Sequence, residues 1–530
     1  MLDVLFRPAI WAPLALLLAI SAYQSLTRRA RLPDLPIVGA EEGEWLPLTR
    51  ARWRNTLDPK RAITDAYAKH KHRTVVLPLA DFVDRVVLPA SETQFVVDQS
   101  ASVLGAHESV GDRLQLDYTC SDPRLIHNPV HHDLVKTTLT SQVGKLIPDI
   151  VEEARFAFDK HWGASSNSSG NEFSDVVVYE TMRRIVGAVT NRVLVGEPLC
   201  RDGALLDAGT AYARDLPRAA SLLRLIWRPL RPLVAPFVTR SVRGHTARFR
   251  KILLPEITRR LREYDARASM SENSTTSYPE RKEEKRVDFL QWSISQAKAS
   301  GDPYMWEPAT LAGRVLQLNL AAIHTSTLTM TAAILDLAAS KPEHIRELRD
   351  EVSTVLEEHG GVWNKRALRQ MVKLDSLFRE SARLNSFVTL GLNRVVTARN
   401  GLVTPSGIRL PQGTHVCVPC YAVLRDGEVY EDAQTFEPFR FAVPRTGSQG
   451  EEKGARKTFT TTGNDYLVFG HGRSACPGRF FAANELKLMM AYLLVNYDME
   501  QLPARPRDVW VGFNRLQSFR ATIRIKKRGN

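Results

Sequence analysis

Cysteine and acidic residues are both scarce in this sequence. Five cysteines in 530 residues, an odd number, argue against a disulfide framework and indicate a reducing compartment. Lysine and arginine outnumber aspartate and glutamate by 72 to 58, so the net charge is +14. No stretch resembles a nucleic-acid-binding module and no internal repeat is visible, which favours an anionic membrane or an acidic protein partner over nucleic acid. The hydrophobic share of 44% is enough for a large folded core.

A nearly continuous apolar run occupies residues 9–23 at the N-terminus. Its fifteen residues are fewer than the ~20 that a spanning helix needs, and Pro13 weakens the pattern, so a cleaved signal peptide is an alternative. However, Arg28, Arg29 and Arg31 follow the run. Positive charge on that side favours a retained anchor that leaves the downstream chain in the cytosol.

The rest of the chain is predicted to form one α-rich domain with a small β portion. Residues 74–77 and 85–88 are predicted to form paired strands, and most of 130–385 is predicted helical. The mostly apolar stretch 308–339 carries polar residues that favour a buried central helix over a membrane span. The predicted division is an anchor with its basic flank at 1–32, a proline-containing hinge at 33–45 and a single domain at 46–530.

A glycine-rich run at Phe469–Gly478 contains the most informative cysteine. Pro477 follows Cys476 at a position typical of a helix's first turn, where the missing N–H of proline does no harm. We expect the glycines to let the backbone fold around the sulfur, and the N–H groups of the next helix to lower the pKa of the thiol. Such a cysteine suits an axial ligand of haem iron, with Phe469 packed on the porphyrin. The alternative is a buried structural cysteine in a turn.

This run resembles the haem-ligand loop of the cytochrome P-450 family, Phe-x-x-Gly-x-x-x-Cys-x-Gly. The resemblance implies the family's fold, mainly α with a small β portion (α+β) and a long central helix over the haem, and heme b held through Cys476. Many members carry a basic residue two positions before the cysteine. Ser474 stands there in this sequence, so Arg473, one residue earlier, is expected to reach a haem propionate.

Two further motifs extend the resemblance. Glu380 and Arg383 share one helical face, which alone is typical of a solvated surface pair. Together with Phe436–Arg440 they resemble the family's Glu-x-x-Arg and Phe-x-Pro-x-Arg elements. The resemblance implies a buried ion network of Glu380, Arg383 and Arg440 on the cysteine side of the haem.

The segment 321–326 resembles the family's oxygen-activation segment. Thr325 matches the threonine whose hydroxyl handles dioxygen and its protons, and Ala322 matches the small residue that opens a groove over the iron. His324 replaces the usual acid, as in some fungal secondary-metabolism members. An imidazole there is either a proton relay or a satisfied side chain of the core.

Further haem-binding residues are expected by position in the family pattern. Arg394 resembles the arginine that contacts a propionate. His132 and Lys136 have helical i, i+4 spacing and stand where the family has a Trp-x-x-x-Arg pair.

Other features are expected to have no catalytic role. Cys417 and Cys420 lack a second pair for zinc and are predicted to be buried free thiols. His127 and His131 lack a third metal ligand and are predicted to be surface histidines. The stretch 222–238 is either an edge of the core or a segment that dips toward a membrane beside a substrate entrance.

The resemblance implies a membrane-anchored monooxygenase. It would use dioxygen and NADPH-derived electrons from NADPH-cytochrome P-450 reductase, with cytochrome b5 as a further donor, to oxidise a hydrophobic secondary metabolite, terpenoids being one candidate class. The expected location is the endoplasmic reticulum membrane, with a single span and a cytosolic catalytic domain. The expected pocket-lining segments are 104–116, 320–323 and 387–392. The alternatives are a reductase-independent haem-thiolate isomerase or dehydratase, and a non-enzymatic haem carrier or sensor.

Overall fold

The structure is a computed structural model that describes residues 34–79, 83–163, 172–272, 287–442 and 457–529. The predicted anchor at 1–32 lies outside these described residues. The fold class is mainly α with a small β portion, as predicted, and the stretch 130–385 is mostly helical.

Helices supply most of the chain's regular structure. In chain order they are α1 Pro47–Leu57, α2 Pro59–His70, α3 Thr93–Asp98, α4 Ala106–Leu114, α5 Leu116–Thr119, α6 Arg124–His127, α7 Val130–Leu134, α8 Thr140–His161, α9 Val178–Leu194, α10 Gly203–Leu225, α11 Arg231–Val238, α12 Arg240–Glu272, α13 Phe289–Ala299, α14 Pro308–Ala338, α15 Pro342–Glu358, α16 Lys365–Gln370, α17 Val372–Asn385, α18 Cys420–Val423 and α19 Arg479–Asn496. A π-helical segment at Val135–Leu139 joins α7 to α8.

Short strands form small sheets beside the helices. The strands are β1 Val75–Leu77, β2 Arg85–Val87, β3 Leu104–Gly105, β4 Ser174–Val177, β5 Gly391–Val396, β6 Leu402–Val403, β7 Arg409–Leu410, β8 His415–Val418, β9 Tyr497–Met499, β10 Val509–Val511, β11 Asn514–Leu516 and β12 Thr522–Lys527. The largest sheet has the order β1-β2-β8-β5-β3. Its β1 and β2 are antiparallel, which confirms the predicted pair.

The long helix α14 is the centre of the main hydrophobic core. It starts with Pro308 at its first turn, where proline is well tolerated. Helices α9, α10, α12 and α17 pack around it. By length and hydropathy α14 could cross a membrane, but 67% of its most apolar window is buried inside the protein. The prediction of a buried central helix is therefore confirmed.

Candidate active site

The loop before α19 folds tightly around Cys476. Gly470 and Gly472 adopt φ of +67° and +68°, a left-handed conformation that side-chain-bearing residues rarely adopt. The backbone N–H of Cys476 donates to the Phe469 carbonyl at 2.7 Å and closes the loop. Cys476 stays partly exposed, whereas the other four cysteines are buried free thiols. The predictions for Cys417 and Cys420 are therefore confirmed.

Two details of this loop differ from expectation. Helix α19 begins at Arg479, so Pro477 lies in the turn before the helix and not in its first turn. Burial raises the pKa of the Cys476 thiol, while the N–H groups of Gly478 and Arg479 and the Arg479 charge lower it by less. For the thiol alone, desolvation of the sulfur outweighs these N–H groups, so the expected net lowering of its pKa was wrong. A coordinated metal cation deprotonates such a thiol outright.

One face of α14 is open although the helix is buried along most of its length. Ala321 is exposed, and Ala322, His324 and Thr325 are half-buried. The Thr325 hydroxyl donates to the Ala321 carbonyl at 2.7 Å. Its oxygen can still accept a hydrogen bond from outside the helix. We call these four residues the groove face. It has the small residues and the hydroxyl that the family's oxygen-activation segment requires.

His324 points toward a neighbouring helix. Its Nδ1 lies 3.2 Å from the hydroxyl of Tyr179 in α9. Burial lowers the pKa of His324, which favours a neutral imidazole at pH 7, and the Thr210 backbone opposes this effect. Tyr179 is half-buried and its ring packs edge-on against Phe519. The sequence had not indicated this tyrosine, since it precedes His324 by 145 residues.

The predicted ion network is present, with Glu380 and Arg383 fully buried and Arg440 partly buried. Arg383 donates two hydrogen bonds, of 2.7 and 2.8 Å, to the carboxylate of Glu380. Arg440 donates to the same carboxylate at 3.1 Å. The remaining donors of Arg383 reach the carbonyls of Leu424 and Ala433 at 2.6 and 2.7 Å. We call Glu380, Arg383 and Arg440 the cysteine-side network.

Arg394 is a buried cation that has no acidic partner among the described residues. Its side chain is in β5, is 8% exposed and donates to the Asn393 carbonyl at 2.9 Å. Desolvation alone lowers the pKa of Arg394. An uncompensated buried guanidinium favours an anionic group beside it. A haem propionate would supply one.

The other proposed propionate contacts differ in their surroundings. Arg473 is exposed and makes no hydrogen bond or ion pair within the described part of the chain. His132 and Lys136 are also exposed, and Lys136 lies in the π-helical segment and not in a regular i, i+4 helix. The wider π-helical turn changes the spacing that the sequence implied.

Of the two predicted surface histidines, His127 is at the surface and His131 is not. His127 is exposed at the end of α6, but His131 in α7 is 5% exposed. The kink at Asn128-Pro129 separates the two helices and turns His131 into the core. Burial lowers the pKa of His131 to about 3, so its ring is neutral. In the described ranges no three His, Cys, Asp or Glu side chains gather as a metal site.

A buried carboxyl links the helix after Cys476 to the groove face. Glu485 in α19 is fully buried, and its Oε1 accepts from Thr190 of α9 at 2.8 Å. Its Oε2 lies 3.3 Å from the hydroxyl of Ser326, the residue after Thr325. Burial raises the pKa of Glu485 to about 7. Glu485 is the single acidic residue in the apolar run 479–496, a pattern that indicates a buried carboxyl. The residues that contact it could not be inferred from the sequence.

The residues present fit a haem. Cys476 offers a thiolate at a glycine-bent loop, and Phe469 packs beside it with its ring 4.9 Å from that of Phe459. Arg394 offers an unmatched buried charge, and the groove face offers small residues on α14. The contact between Ser326 and Glu485 joins the helix that carries this face to the helix that follows the cysteine.

Comparison with known proteins gives a consistent result. The family model for Cytochrome P450 matches residues 117–511. Cytochrome P450 monooxygenase gloP of Glarea lozoyensis is 32% identical over 502 residues, covering 92% of this chain and 89% of that protein. Cytochrome P450 monooxygenase astC of Aspergillus terreus is 32% identical over 510 residues, covering 93% and 92%. Cytochrome P450 monooxygenase 71 of Postia placenta is 32% identical over 450 residues, covering 84% of each chain.

Proposed function

This chain belongs to the cytochrome P450 family and is a haem-dependent monooxygenase, and we propose that it oxidises an apolar secondary metabolite with NADPH-derived electrons. The observation that carries the proposal is the loop geometry at Cys476, a partly exposed cysteine in the turn before a helix. When bound, haem supplies the oxidising chemistry, which thiolate ligation favours.

The protein's own residues hold the cofactor and handle protons. Cys476 would hold the haem iron through its thiolate, and Phe469 would pack against the porphyrin. Arg394 would neutralise a propionate from within the core, and Arg473, Lys136 and His132 would pair with propionates from exposed positions.

On the groove face, the small side chain of Ala322 would leave room for dioxygen at a bound haem, and the Thr325 hydroxyl would accept protons and pass them to it. His324, with Tyr179 behind it, relays protons to Thr325. The 3.2 Å contact between His324 and Tyr179 supports the first step of this path, from Tyr179 to His324.

Electrons enter from the cysteine side. A cleft of about 470 Å³ lies there, lined by Phe480, Asn484 and Lys487 of α19. Exposed Lys365 and Arg369 stand at its edge. These cations favour an acidic docking partner. We assign this role to NADPH-cytochrome P-450 reductase, with cytochrome b5 as a second donor.

The protein is anchored in the endoplasmic reticulum membrane by its N-terminal apolar run, with the catalytic domain at 46–530 in the cytosol. The stretch 222–238 supports contact with the membrane, because several of its large apolar side chains are exposed. Leu222, Leu233 and Phe237 are 55%, 70% and 80% exposed. Arginines interleaved with them favour anionic lipid headgroups.

The substrate is an apolar metabolite of the terpenoid type. The test is purified holoenzyme with reductase, NADPH and ¹⁸O₂, offered a terpenoid panel and analysed by mass spectrometry. The expected product carries one labelled oxygen atom. Turnover without NADPH would instead support the isomerase or dehydratase. If no compound of the panel is converted under any of these conditions, the result would support the haem carrier or sensor.

A further inference from the structure

Tyr179, the tyrosine behind the groove face, stands at a junction between two distant parts of the chain. It is the second residue of α9, which follows β4 directly, and β4 pairs with β12 near the C-terminus. Val177 is the register partner of Thr522, and the Val178 N–H donates to the Ala521 carbonyl at 3.0 Å. The start of α9 is therefore fixed against the segment that connects β11 to β12.

The segment between β11 and β12 carries Phe519, whose ring contacts the ring of Tyr179. The two ring centroids lie 4.6 Å apart at an interplanar angle of 81°, which is the edge-to-face arrangement that aromatic pairs favour. The hydroxyl at the other end of the Tyr179 side chain lies 3.2 Å from His324 Nδ1. Tyr179 therefore touches Phe519 through its ring and His324 through its hydroxyl.

The backbone that carries Phe519 is anchored on both sides, although the side chain itself is 41% exposed. Two residues before it, Gln517 is fully buried, and its Oε1 accepts from Arg505 at 2.7 Å. The Gln517 Nε2 donates to the Asn385 carbonyl at 3.3 Å. Two residues after Phe519, Ala521 is buried and accepts the hydrogen bond from the start of α9. The ring of Phe519 is therefore carried by a segment that has little freedom to move away from α9.

The Tyr179 hydroxyl depends on the packing of its ring to stay in place. The side chain turns about two bonds, and 3.2 Å is at the long end for a hydrogen bond to His324. The hydroxyl makes no other hydrogen bond to the residues that the structure describes. The contact with Phe519 therefore influences how much of the time the hydroxyl lies on the imidazole.

We propose that Phe519 is a positioning residue for the proton relay, because its ring holds Tyr179 with the hydroxyl on His324 Nδ1. A proton crosses this contact only while the two heavy atoms are within hydrogen-bonding distance. In each cycle the hydroxyl gives one proton to His324 and takes one from water in return. This proposal rests on the proposed function, since it adds a residue to the same relay.

Kinetics of matched variants test this role, with the terpenoid of the panel that is converted fastest. Phe519→Ala should lower kcat about three- to tenfold and leave KM unchanged, because the lost ring contact is worth about that factor. The ratio of kcat in water to kcat in deuterium oxide should rise, since proton transfer then limits the rate. Phe519→Trp keeps an aromatic edge beside Tyr179 and should restore most of the rate.

Phe173→Ala is the matched control for Phe519→Ala. Phe173 lies just before β4, is 37% exposed and packs against Arg524, whose guanidinium is 5.7 Å from the ring centre. The same change of side chain is thus made beside the same small sheet but away from Tyr179. Phe173→Ala should have the kcat, the KM and the solvent isotope effect of wild type.

A double-mutant cycle separates this role from any other role of Phe519. Tyr179→Phe removes the hydroxyl and should slow turnover by itself. Adding Phe519→Ala should slow it no further, because no hydroxyl is left to position. Equal slowing by Phe519→Ala in both backgrounds, or wild-type kinetics of Phe519→Ala beside a slow Tyr179→Phe, would overturn the proposal and leave the proposed function standing. Wild-type kinetics of Tyr179→Phe would remove both residues from the relay.

Fluorine NMR of the holoenzyme tests the contact without turnover. With 3-fluorotyrosine at position 179, Phe519→Ala should shift the resonance and make it sensitive to the exchange of water for deuterium oxide. Phe173→Ala should leave the resonance unchanged. A resonance that does not respond to Phe519→Ala would overturn the proposal. If the holoenzyme converts no member of the panel, the proposed function fails, and the fluorine signal still decides whether Phe519 holds Tyr179.

Discussion

The cysteine-side network and the groove face differ in how far the hydrogen-bonding capacity of their polar groups is used. In the network, the carboxylate of Glu380 and the donors of Arg383 are matched by each other or by backbone carbonyls, in full burial. On the groove face, Thr325 keeps unused acceptor capacity, and Ala321 leaves the helix surface open. Saturated hydrogen bonds make a rigid support, whereas open ones can bind and pass protons. The difference predicts that mutations in the first region remove the fold and mutations in the second change only the chemistry.

The largest effect is expected from breaking the network. Glu380→Ala leaves Arg383 buried without its counter-charge, which costs about 3–5 kcal/mol. We expect aggregated or haem-free protein, measured by the haem-to-protein ratio after purification.

Glu343→Ala is the matched control for that variant. Glu343 and Arg346 form a pair with the same i, i+3 spacing on α15, but both side chains are more than half exposed. The control should be indistinguishable from wild type. A Glu380→Ala protein with full haem occupancy and merely slower turnover would contradict the structural role that the account gives to the cysteine-side network.

Glu485 tests the contact between α19, the helix that follows Cys476, and α14, the helix that carries the groove face. Its carboxyl has a pKa near 7 when folded and an ordinary value of 4.5. Between pH 4.5 and pH 7 this carboxyl is deprotonated in the unfolded chain but still protonated in the folded protein. The stability of wild type therefore falls as the pH rises and levels off above pH 7. The Glu485→Gln side chain stays neutral, so the variant does not lose stability in this way. Its free energy of unfolding should rise relative to that of wild type by about 3 kcal/mol between pH 5 and pH 8.

The measurement for Glu485→Gln is thermal unfolding followed by circular dichroism at pH 5, 6, 7 and 8. The two melting temperatures should diverge as pH rises. Parallel curves for variant and wild type would mean that the carboxyl is solvated and that Ser326 and Thr190 do not enclose it.

The smallest effect on stability, and a selective effect on chemistry, is expected on the groove face. Thr325→Ala should keep haem content and substrate affinity but divert NADPH electrons to hydrogen peroxide, because the hydroxyl that manages protons is gone. Peroxide and product per NADPH are measured together. Thr327→Ala is the control, since Thr327 is buried and its hydroxyl donates to the Ile323 carbonyl within the helix. Equal product yield in both variants would remove Thr325 from the mechanism.

Short-range patterns were predictable from sequence and long-range contacts were not. The Cys476 loop and the Glu380–Arg383 pair lie within a few residues, so their geometry follows from local turns and helical spacing. Glu485 and its partner Thr190 are 295 positions apart, and no local pattern joins them. His131 was misplaced because the sequence does not show how the kink before α7 turns that helix.

The same distinction explains the arginines. An exposed arginine and a buried arginine have the same local pattern, so the exposure of Arg473 and the burial of Arg394 became visible only in the fold. In contrast, the long helix α14 was predicted almost to the residue, because its apolar length and its starting proline are local properties.

The most direct test of the account is the reduced, carbon monoxide-bound spectrum of Cys476→Ser. The account predicts that wild type shows the red-shifted Soret band of thiolate ligation and that Cys476→Ser loses it. Cys417→Ser and Cys420→Ser should keep it, because both thiols are buried and free. A Cys476→Ser protein that retained the band, while a Cys417 or Cys420 variant lost it, would contradict the assignment of the ligand and of the site built around it.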